Sequence, residues 1–515
     1  MCSSDLVYRR IMAPADALLT AMMGRGQHLD VAQVEEQEQW FPKQIVEERN
    51  RMAVAAPAVA AWIDRQDLTD PDFEFDLEDK TVLKTVLFGE ECLGLPVQRL
   101  TKQGQKKFGE DVDLRTLNKE DVFEYAAVDK FTLNKLAADH PEVRPLQAYK
   151  KVYKLYTTYV RPVRGHFDPS VDKKRRTGPP HLCPDGKIHG QFMLTGTRSG
   201  RLASKDPNLQ QLPGDAIIKR QFISRFGERG CLYGSDLSQI ELRLMAAVSG
   251  DPGLLKAYFE GLDLHTLTAS RLYKTDYEVF SKPHMEKLQR EGRGDEAKKL
   301  DLKRKVAKTT NFLTGYGGGA FGLQTALANN SVYLPFEECE SIIDRFFESY
   351  PVLARYLSFY KKFIEDNAVA CSVFGRVRVF EEVHGEDKKA RAKALRSGCN
   401  HLIQATASDL MLICMSVIEG CMRNENLESI LVSTIHDSLV IDAVRAELPQ
   451  VHEIVDSVVN NMPAVLAELF GESYDTSWMI CPLSGDAEVG KNYLDMSKLP
   501  KAVDWDEVNA KLLAV

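Results

Sequence analysis

The sequence predicts an α+β fold in which helices make up most of the chain and a small sheet forms around two strand-like runs. Ala-rich and Glu-rich stretches over 31–66 and 121–159 predict helices in the N-terminal third. Ile430 to Ala443 is dense in β-branched residues and is interrupted by a polar triplet, which predicts two strands meeting at a turn. The run 233–243 has the pattern of a strand that ends in an acid and continues as an amphipathic helix.

Local composition predicts the remaining segments. Met52 to Ile63 is the most apolar run, but it has only about a dozen residues where a membrane span needs ~20, so it predicts a buried helix. Residues 161–190 are rich in proline and glycine and predict a linker or long exposed loop. Charged residues dominate Glu286 to Lys308, and an apolar helical pattern then continues to Tyr316.

Composition indicates an ordinary globular protein with an uneven charge. Of 515 residues, 44% are hydrophobic and 27% charged, and at ~150 residues per domain the length predicts three or four lobes. The formal charge of −8 by itself argues against a polyanionic partner. Residues 144–229, however, carry eighteen Lys and Arg against six Asp and Glu, a net charge of +12. Interleaved tyrosines make this segment typical of a surface that follows phosphates, although a solvated loop beside a surface helix is the competing interpretation.

Cysteine usage and the N-terminus bear on the compartment. The ten cysteines are scattered singly, without a CxxC pair or a Cys/His cluster at zinc spacing. We interpret them as reduced thiols in a cytoplasmic setting, the host cytoplasm if the source is viral. The first ten residues lack a positive start followed by an apolar core, so neither a secretory signal nor a transit peptide is expected. No membrane partner is expected.

A stripe of four residues could hold a polyphosphate. Arg304, Lys308, Phe312 and Tyr316 recur every fourth residue, so on a helix they form one slowly rotating face. Two cations, a ring and a phenol on one face can grip phosphates and stack against a base.

Two acids are candidates for a metal site. Asp236 ends the first strand-like run, and Asp437 occupies the hairpin turn, where restricted backbone freedom suits a ligand that must be held still. Phosphoryl transfer needs divalent metals and cations more than covalent help from a protein. Taken alone, each acid is more typical of a helix cap or a turn former.

These segments, with three further blocks, resemble the polymerase module of family A DNA polymerases, the class of bacterial DNA polymerase I and several phage replicases. Residues 195–210 are similar to the family's TGRLSS…PNLQ block, 263–266 to its DxHT block and 400–411 to its NxxxQGTAADLM block. The blocks occur in family order over nearly the whole chain. The resemblance implies a right-hand polymerase with a thumb, a palm carrying an antiparallel sheet, and helical fingers. The expected divisions are N-terminal helices and thumb at 1–165, palm at 166–255 and 410–515, and fingers at 256–409.

The resemblance also implies an activity. It is that of a DNA-directed DNA polymerase, a nucleotidyltransferase that adds dNMP to a primer 3′-hydroxyl with release of pyrophosphate, in replication or repair. The expected partners are primer–template DNA and dNTPs. The expected cofactor is Mg²⁺, as two ions, with Mn²⁺ as a substitute. The short length and divergent blocks favour a phage-type source, while a processivity partner is left open.

Carried over position by position, the resemblance implies a role for each matching residue. Asp236, Asp437 and the backbone carbonyl of Leu237 would hold the metal ions, and Lys308 would also be a general acid for pyrophosphate. Glu241 would exclude ribonucleotides by closing the space around C2′. The dNTP-binding set is Leu237, Gln239, Glu241, His265, Arg304, Lys308, Phe312 and Tyr316, and the DNA-binding set is Arg201, Asn208, Asn400, Gln404 and His436.

Three positions depart from the family pattern. Ser438 stands where the family's His-Asp-Glu has its third acid, so metal or primer handling is expected to differ somewhat. Leu313 replaces the glycine after Asn-Phe and stiffens the helix. Tyr156 replaces a lysine and weakens one expected contact with the duplex.

A proofreading site is not expected. Asp72-Phe-Glu74 and Tyr125 to Asp129 have the DxE and YxxxD forms of a 3′–5′ exonuclease, but only 57 positions separate Asp72 from Asp129, too few for that core. Tyr8 to Asp30 resembles the helix that follows the exonuclease domain in the family. The chain is therefore expected to start where proofreading would have ended, and a separate exonuclease is left open.

Three alternatives remain for comparison. A single-subunit RNA polymerase shares the palm and often carries His-Asp-Ser, but it lacks an acid at the position of Glu241. A non-catalytic nucleic-acid-binding relative is disfavoured by the intact set Asp236, Lys308 and Asp437. The run 317–322 satisfies GxGxxG, the dinucleotide fingerprint, but it follows a helical stripe and not a strand.

Overall fold

The computed structural model describes residues 7–69, 75–109, 112–164, 181–330, 332–435 and 437–513, which form two compact units. The smaller unit consists of the described residues between Val31 and His181. The larger unit consists of residues 7–30 and those from Leu182 onward. Each unit has its own hydrophobic core.

The smaller unit is helical. Its core gathers apolar side chains such as Met52, Trp62, Leu87 and Leu146. Side chains of Asp79, Thr101, Asn118 and Asp129 accept hydrogen bonds from backbone N–H groups at helix starts, which explains where four of the helices begin. Its helices are α2 Val31–Ala55, α3 Pro57–Thr69, α4 Lys80–Phe88, α5 Lys102–Phe108, α6 Lys119–Glu124, α7 Lys130–Asp139, α8 Arg144–Leu155 and α9 Arg161–Arg164, with a π-helical turn at Tyr156–Val160 between the last two.

The larger unit packs helices against a central sheet. A π-helical turn at Tyr8–Met12 leads into α1 Ala13–Arg25. The other helices are α10 Ala216–Arg220, α11 Ile240–Ser249, α12 Pro252–Phe259, α13 Leu264–Leu272, α14 Lys282–Arg290, α15 Gly294–Gly315, α16 Ala320–Ala328, α17 Phe336–Ser349, α18 Pro351–Asn367, α19 Lys388–Asn424, α20 Leu448–Asn460, α21 Met462–Phe470 and α22 Trp505–Leu513.

In the described part of the chain, short two-stranded ribbons form in addition to the central sheet. They pair β1 Gln27–His28 with β2 Lys187–Ile188, β3 Gln191–Met193 with β4 Ala203–Lys205, and β6 Val369–Cys371 with β7 Val377–Val379. Among the described residues the central sheet has five antiparallel strands in the order β11-β10-β5-β9-β8. They are β5 Gly230–Leu237, β8 Ile430–Ile435, β9 Ser438–Val444, β10 Gly485–Gly490 and β11 Ser497–Lys498.

A buried ion pair fixes the far ends of β5 and β9. Asp442 on β9 is 1% exposed. Its carboxylate accepts hydrogen bonds from the Arg225 Nε at 2.9 Å and from the Arg225 backbone N–H at 3.1 Å, just before β5 begins. Removing one partner of such a pair would leave an uncompensated buried charge, so it resists separation of the strands. The Arg225–Asp442 pair therefore helps to keep β5 and β9 in register, and Asp236 and Asp437 lie at the opposite end of this strand pair.

The longest helix, α19, runs through the core of the larger unit. Asp387 caps its start by accepting from the Lys389 and Ala390 N–H groups. By length and composition this helix could cross a membrane, but 78% of its most apolar window is buried inside the protein. Such burial is typical of a core helix in a water-facing protein.

The α+β prediction is confirmed, with adjusted boundaries. The hairpin predicted over 430–443 is present as β8 and β9, and the strand-to-helix run is present as β5 and α11. The charged stretch from Glu286 is divided between α14 and α15, and Tyr316 caps α15 after its last residue. Of the predicted linker, 161–164 are helical and 187–188 form β2, while 165–180 lie outside the described residues.

Candidate active site

Asp236 and Asp437 lie at the same end of neighbouring strands. Asp236 is the penultimate residue of β5 and faces Ser438 of β9, and Asp437 immediately precedes β9. The Leu237 N–H donates a hydrogen bond of 2.9 Å to the Asp437 carbonyl oxygen. The antiparallel pairing therefore brings together two acids that are far apart in sequence.

A third carboxylate, which sequence reasoning missed, lies on the other side of Asp236. Asp486 of β10 is the cross-strand partner of Asp236, so Asp486, Asp236 and Ser438 form one row across three strands. Lys498 of β11 donates to Asp486 at 2.9 Å. Burial favours a higher pKa for Asp486, but hydrogen bonds from Lys498 and Ser238 outweigh it and hold that pKa below its ordinary value.

The row of acids suits a divalent cation. The Asp236 side chain reaches solvent, yet the protein around it removes enough water to raise its pKa to about 6, and repulsion from Asp437 and Asp486 adds to the effect. Carboxylate oxygens are the ligands that Mg²⁺ prefers, and a cation would relieve this repulsion. The donor set therefore fits the expected metal.

The raised pKa predicts a stability effect at Asp236. An unfolded aspartate titrates at ~4 and the native one at about 6, so the native state loses stability as pH rises across this interval. We expect Asp236→Asn, melted in EDTA, to raise the Tm by roughly 2–4 °C at pH 8, with little gain at ~pH 3.5, where the carboxyl is mostly protonated in both the native and the unfolded state. The exposed acid Asp344 supplies the matched control, Asp344→Asn, which should leave the Tm unchanged. An equal or lower Tm for Asp236→Asn at pH 8 would contradict this account.

Glu241 lies buried near Asp437. It occupies the first turn of α11, is 6% exposed, and accepts a hydrogen bond from the Arg201 guanidinium. Burial raises the pKa of Glu241, Arg201 opposes that rise, and the charge of Asp437 adds to it. Glu241 and Arg201, predicted for the sugar and the primer end, are thus one ion pair next to Asp437.

A strained turn connects β5 to α11. Gln239 has φ +52°, in the left-handed region that non-glycine residues seldom adopt. The Tyr258 hydroxyl donates to the Gln239 side-chain oxygen at 3.2 Å, and the Arg243 guanidinium lies 4.5 Å from the Tyr258 ring centre. These contacts hold Gln239 between the acid of the strand and Glu241 of the helix.

A cavity of about 430 Å³ opens onto Asp437. Arg201, Asn208 and Ser408 of α19 are among the residues that line it. Asn400 and Gln404 precede Ser408 at four-residue spacing, so all three share one face of α19. Among the described residues, the buried Asn400 Oδ1 has no hydrogen-bond partner. Of the five residues predicted to contact DNA, Arg201 and Asn208 thus line the cavity, and Asn400 and Gln404 lie on the face of α19 that leads to it. His436 lies outside the described residues.

The predicted stripe lines a second cavity. Lys308, Phe312 and Tyr316 border a space of about 650 Å³ between α15 and α16. Lys308 is exposed, whereas Phe312 and Tyr316 are half-buried. The fourth member, Arg304, instead gives both of its Nη2 contacts, at 2.9 Å, to the carboxylate of Asp263. Sequence reasoning missed this partner, although Asp263 lies in the segment that resembles the DxHT block.

His265 lies deep at the base of the stripe. It is 6% exposed, and its ring centre is 5.7 Å from that of Phe312. Burial lowers the pKa of His265 to about 4; Asp263 opposes the shift, and Arg304 and Lys308 add to it. The imidazole is therefore neutral at physiological pH and can offer a phosphate one N–H and no charge.

The proofreading motifs receive no support as a site. Asp129 caps α7 by accepting from the Thr132 N–H at 3.1 Å and forms an ion pair with Arg99. Asp72 and Glu74 lie outside the described residues. The helix cap and the ion pair therefore explain the presence of Asp129 without a catalytic role.

The basic segment carries less free charge than its composition implies. Several of its cations are already paired with carboxylates of their own unit, and the run 173–176 lies outside the described residues. The pairs are Lys150 with Glu78, Arg201 with Glu241, Arg225 with Asp442, and Arg229 with Glu428.

A second cluster of metal-type ligands lies near β2. Ligand atoms of Cys183, Asp185 and His189 lie within 4.8 Å of one another. The Cys/His spacing in the sequence did not predict this grouping. The Asp185 Oδ2 already contacts Lys187 Nζ at 3.2 Å and His189 Nε2 at 3.1 Å. Its negative charge is thus compensated within the protein.

Known proteins share both the sequence and the architecture. The family model for DNA polymerase family A matches residues 74–495. Thermostable DNA polymerase I of Thermus aquaticus is 29% identical over 463 residues, covering 88% of this chain and 46% of the relative. DNA polymerase I of Chloroflexus aurantiacus is 30% identical over 371 residues, covering 71% and 34%. The chain thus spans less than half the length of these relatives.

A solved structure has the same fold. The POL domain of Pol1 from M. smegmatis, in complex with DNA primer-template and dNTP, superposes with a TM-score of 0.70 at 22% identity. The match covers 94% of this chain and 70% of that one. With most of its length matched by one family model and its fold shared with a polymerase domain, the chain belongs to DNA polymerase family A.

Proposed function

We propose that this protein is a DNA-directed DNA polymerase that extends a primer 3′-hydroxyl by one dNMP at a time and releases pyrophosphate. The observation that carries the proposal is the placement of Asp236 and Asp437 at the same end of two paired strands, in a chain of this family. Primer–template DNA and dNTPs are the proposed partners, as they are in the complex of the M. smegmatis domain.

Asp236, Asp437 and the Leu237 carbonyl are the groups we propose for two Mg²⁺ ions, with Mn²⁺ as a substitute. When bound, such ions would lower the charge cost of bringing a hydroxyl to a phosphate and of releasing the leaving group. The raised pKa of Asp236 supports this role, because burial and then repulsion from Asp437 and Asp486 disfavour its charged form, and a bound cation would favour that form. Lys498 compensates Asp486 on the outer side of the row.

The stripe and its neighbours position the nucleotide in this proposal. Lys308 is exposed in the cavity between α15 and α16, where its ammonium can bind phosphate and donate a proton to departing pyrophosphate. Phe312 and Tyr316 offer apolar faces on the same cavity for the new base pair. Arg304 would reach phosphate only by sharing or leaving its contact with Asp263.

We assign the primer terminus to the cavity beside Asp437. Arg201 and Asn208 supply hydrogen-bonding groups on its walls, and Gln404 supplies one on the face of α19 that leads to it, which suits contacts to the minor groove. In the proposed division, 1–165 include the thumb, 166–255 and 410–515 form the palm, and 256–409 form the fingers. The assigned carboxylates then all belong to the palm.

Primer extension tests the proposal directly. The purified protein, given a labelled primer on a DNA template with Mg²⁺ and dNTPs, should lengthen the primer, and EDTA should stop it. Failure to extend with either Mg²⁺ or Mn²⁺ would overturn the proposed activity.

The proposed activity does not include proofreading. We expect a primer with a 3′ mismatch to keep its length in Mg²⁺ without dNTPs, because Asp129 is committed to a helix cap and an ion pair. Gel analysis over a time course checks this. Shortening of the primer that is lost in Asp129→Asn would restore the exonuclease hypothesis for this chain.

A further inference from the structure

A chain of buried polar groups ends at His265. Asn311 of α15 is 1% exposed and lies between two partners. Its Nδ2 is 3.0 Å from the His265 Nδ1, and its Oδ1 accepts from the Thr268 hydroxyl at 2.9 Å. Thr268, which is fully buried, is in turn 2.9 Å from the Tyr350 hydroxyl. Four groups, from α13, α15 and the residue that precedes α18, therefore form one continuous chain.

Thr268 fixes the direction of this chain. Its hydroxyl donates its single O–H to the Asn311 Oδ1, so its oxygen accepts from the Tyr350 hydroxyl. The Asn311 amide N–H then remains for His265. The Arg271 guanidinium lies over the Tyr350 ring, 4.8 Å from its centre.

The direction has one consequence for the imidazole. Because its Nδ1 accepts a hydrogen bond from Asn311, a neutral His265 must carry its proton on Nε2. The opposite tautomer would place two N–H groups against each other in a buried site, which costs the bond and leaves both groups unsatisfied. The charged groups that face His265 are Asp263, Arg304 and Lys308.

We propose that Asn311 is a positioning residue for nucleotide binding: through the chain from Tyr350, it holds His265 in the Nε2–H form so that the ring donates to the triphosphate. An Nε2 lone pair would instead repel a phosphate oxygen. This inference deepens the proposed polymerase function and rests on it for the identity of the ligand. The placement of the proton on His265 does not depend on that function.

The tautomer can be measured on the whole protein without substrate. The ¹⁵N resonances of the two ring nitrogens, assigned by their absence in His265→Gln, should identify the Nε2–H tautomer at pH 7. Asn311→Asp has nearly the same shape but can only accept, so it should protonate Nδ1 and shift that resonance. An Nδ1–H tautomer in the unaltered protein, or no change in Asn311→Asp, would overturn the proposal.

Steady-state kinetics then test whether the contact between Asn311 and His265 affects dNTP binding. Asn311→Leu should raise the KM for dNTP about tenfold, the size of one hydrogen bond to a charged group, with kcat within about twofold. In a His265→Ala background the same change should add nothing, because the two residues act through one contact. Additive effects would indicate a purely structural role and contradict the proposal.

A neighbouring residue supplies the matched control. Thr310 on α15 is also fully buried, but its hydroxyl donates only to the Val306 carbonyl of its own helix, at 2.9 Å. Thr310→Val should leave both the KM and the His265 resonances unchanged. If the unaltered protein extends no primer, the proposed function fails while the resonances still decide the tautomer. If it extends primers and the tautomer is wrong, only the positioning role fails.

Discussion

Asp437→Ala is expected to lower the rate of primer extension by about a thousandfold or more. The residue precedes β9, its carbonyl is tied to the Leu237 N–H, and its side chain borders the cavity assigned to the primer end. Stabilisation of a reacting phosphate by bound metal is worth several kcal/mol, and each ~1.4 kcal/mol is tenfold in rate. Rapid-quench measurement of a single incorporation gives the change.

DNA binding separates loss of chemistry from loss of folding. Duplex affinity should stay within about threefold in Asp437→Ala, because phosphate contacts from cations dominate binding. The exposed acid Asp456 on α20 provides the control, and Asp456→Ala should keep the full rate. Retention of more than a tenth of the rate by Asp437→Ala would remove it from the metal site.

Glu241→Ala is expected to admit ribonucleotides. Glu241 is held rigidly by burial and by Arg201, next to Asp437, so its side chain can fill the space where a 2′-hydroxyl would lie. Removing it should raise kcat/KM for rNTPs, relative to dNTPs, by about a hundredfold. The ratio is measured on one primer–template with dATP and ATP in parallel.

A variant of matched size separates shape from charge at this position. Glu241→Gln keeps the volume of the side chain and loses its charge. If exclusion is steric, it should retain most of the discrimination against ribonucleotides that Glu241→Ala loses. Unchanged discrimination in Glu241→Ala would show that another residue excludes the 2′-hydroxyl.

Local sequence patterns were sufficient to predict the strands that position Asp236 and Asp437. The β-branched run with a polar interruption predicted the β8–β9 hairpin, and the strand ending in an acid predicted β5 and α11. Both patterns lie within short continuous segments, where side-chain periodicity and turn residues predict secondary structure. The roles of Asp236 and Asp437 stay predictions.

Sequence patterns did not predict contacts between residues that are far apart in the chain. Asp486 faces Asp236 only because β10 pairs with β5, and no periodicity indicates which strand will be the neighbour. The same holds for Asn311, whose two partners lie on a different helix from its own. The charge of +12 over residues 144–229 also overstated the free positive charge, because Arg225 and Arg229 pair with carboxylates that follow them by some two hundred residues.

The most direct test of the central claim is single-nucleotide incorporation by the unaltered protein. One primer–template is offered each of the four dNTPs and the complementary rNTP separately, in Mg²⁺. The account predicts that only the complementary dNTP is added efficiently, as a single step that EDTA abolishes. Addition without regard to the template base, or equal use of the complementary rNTP, would contradict template-directed DNA synthesis at this site.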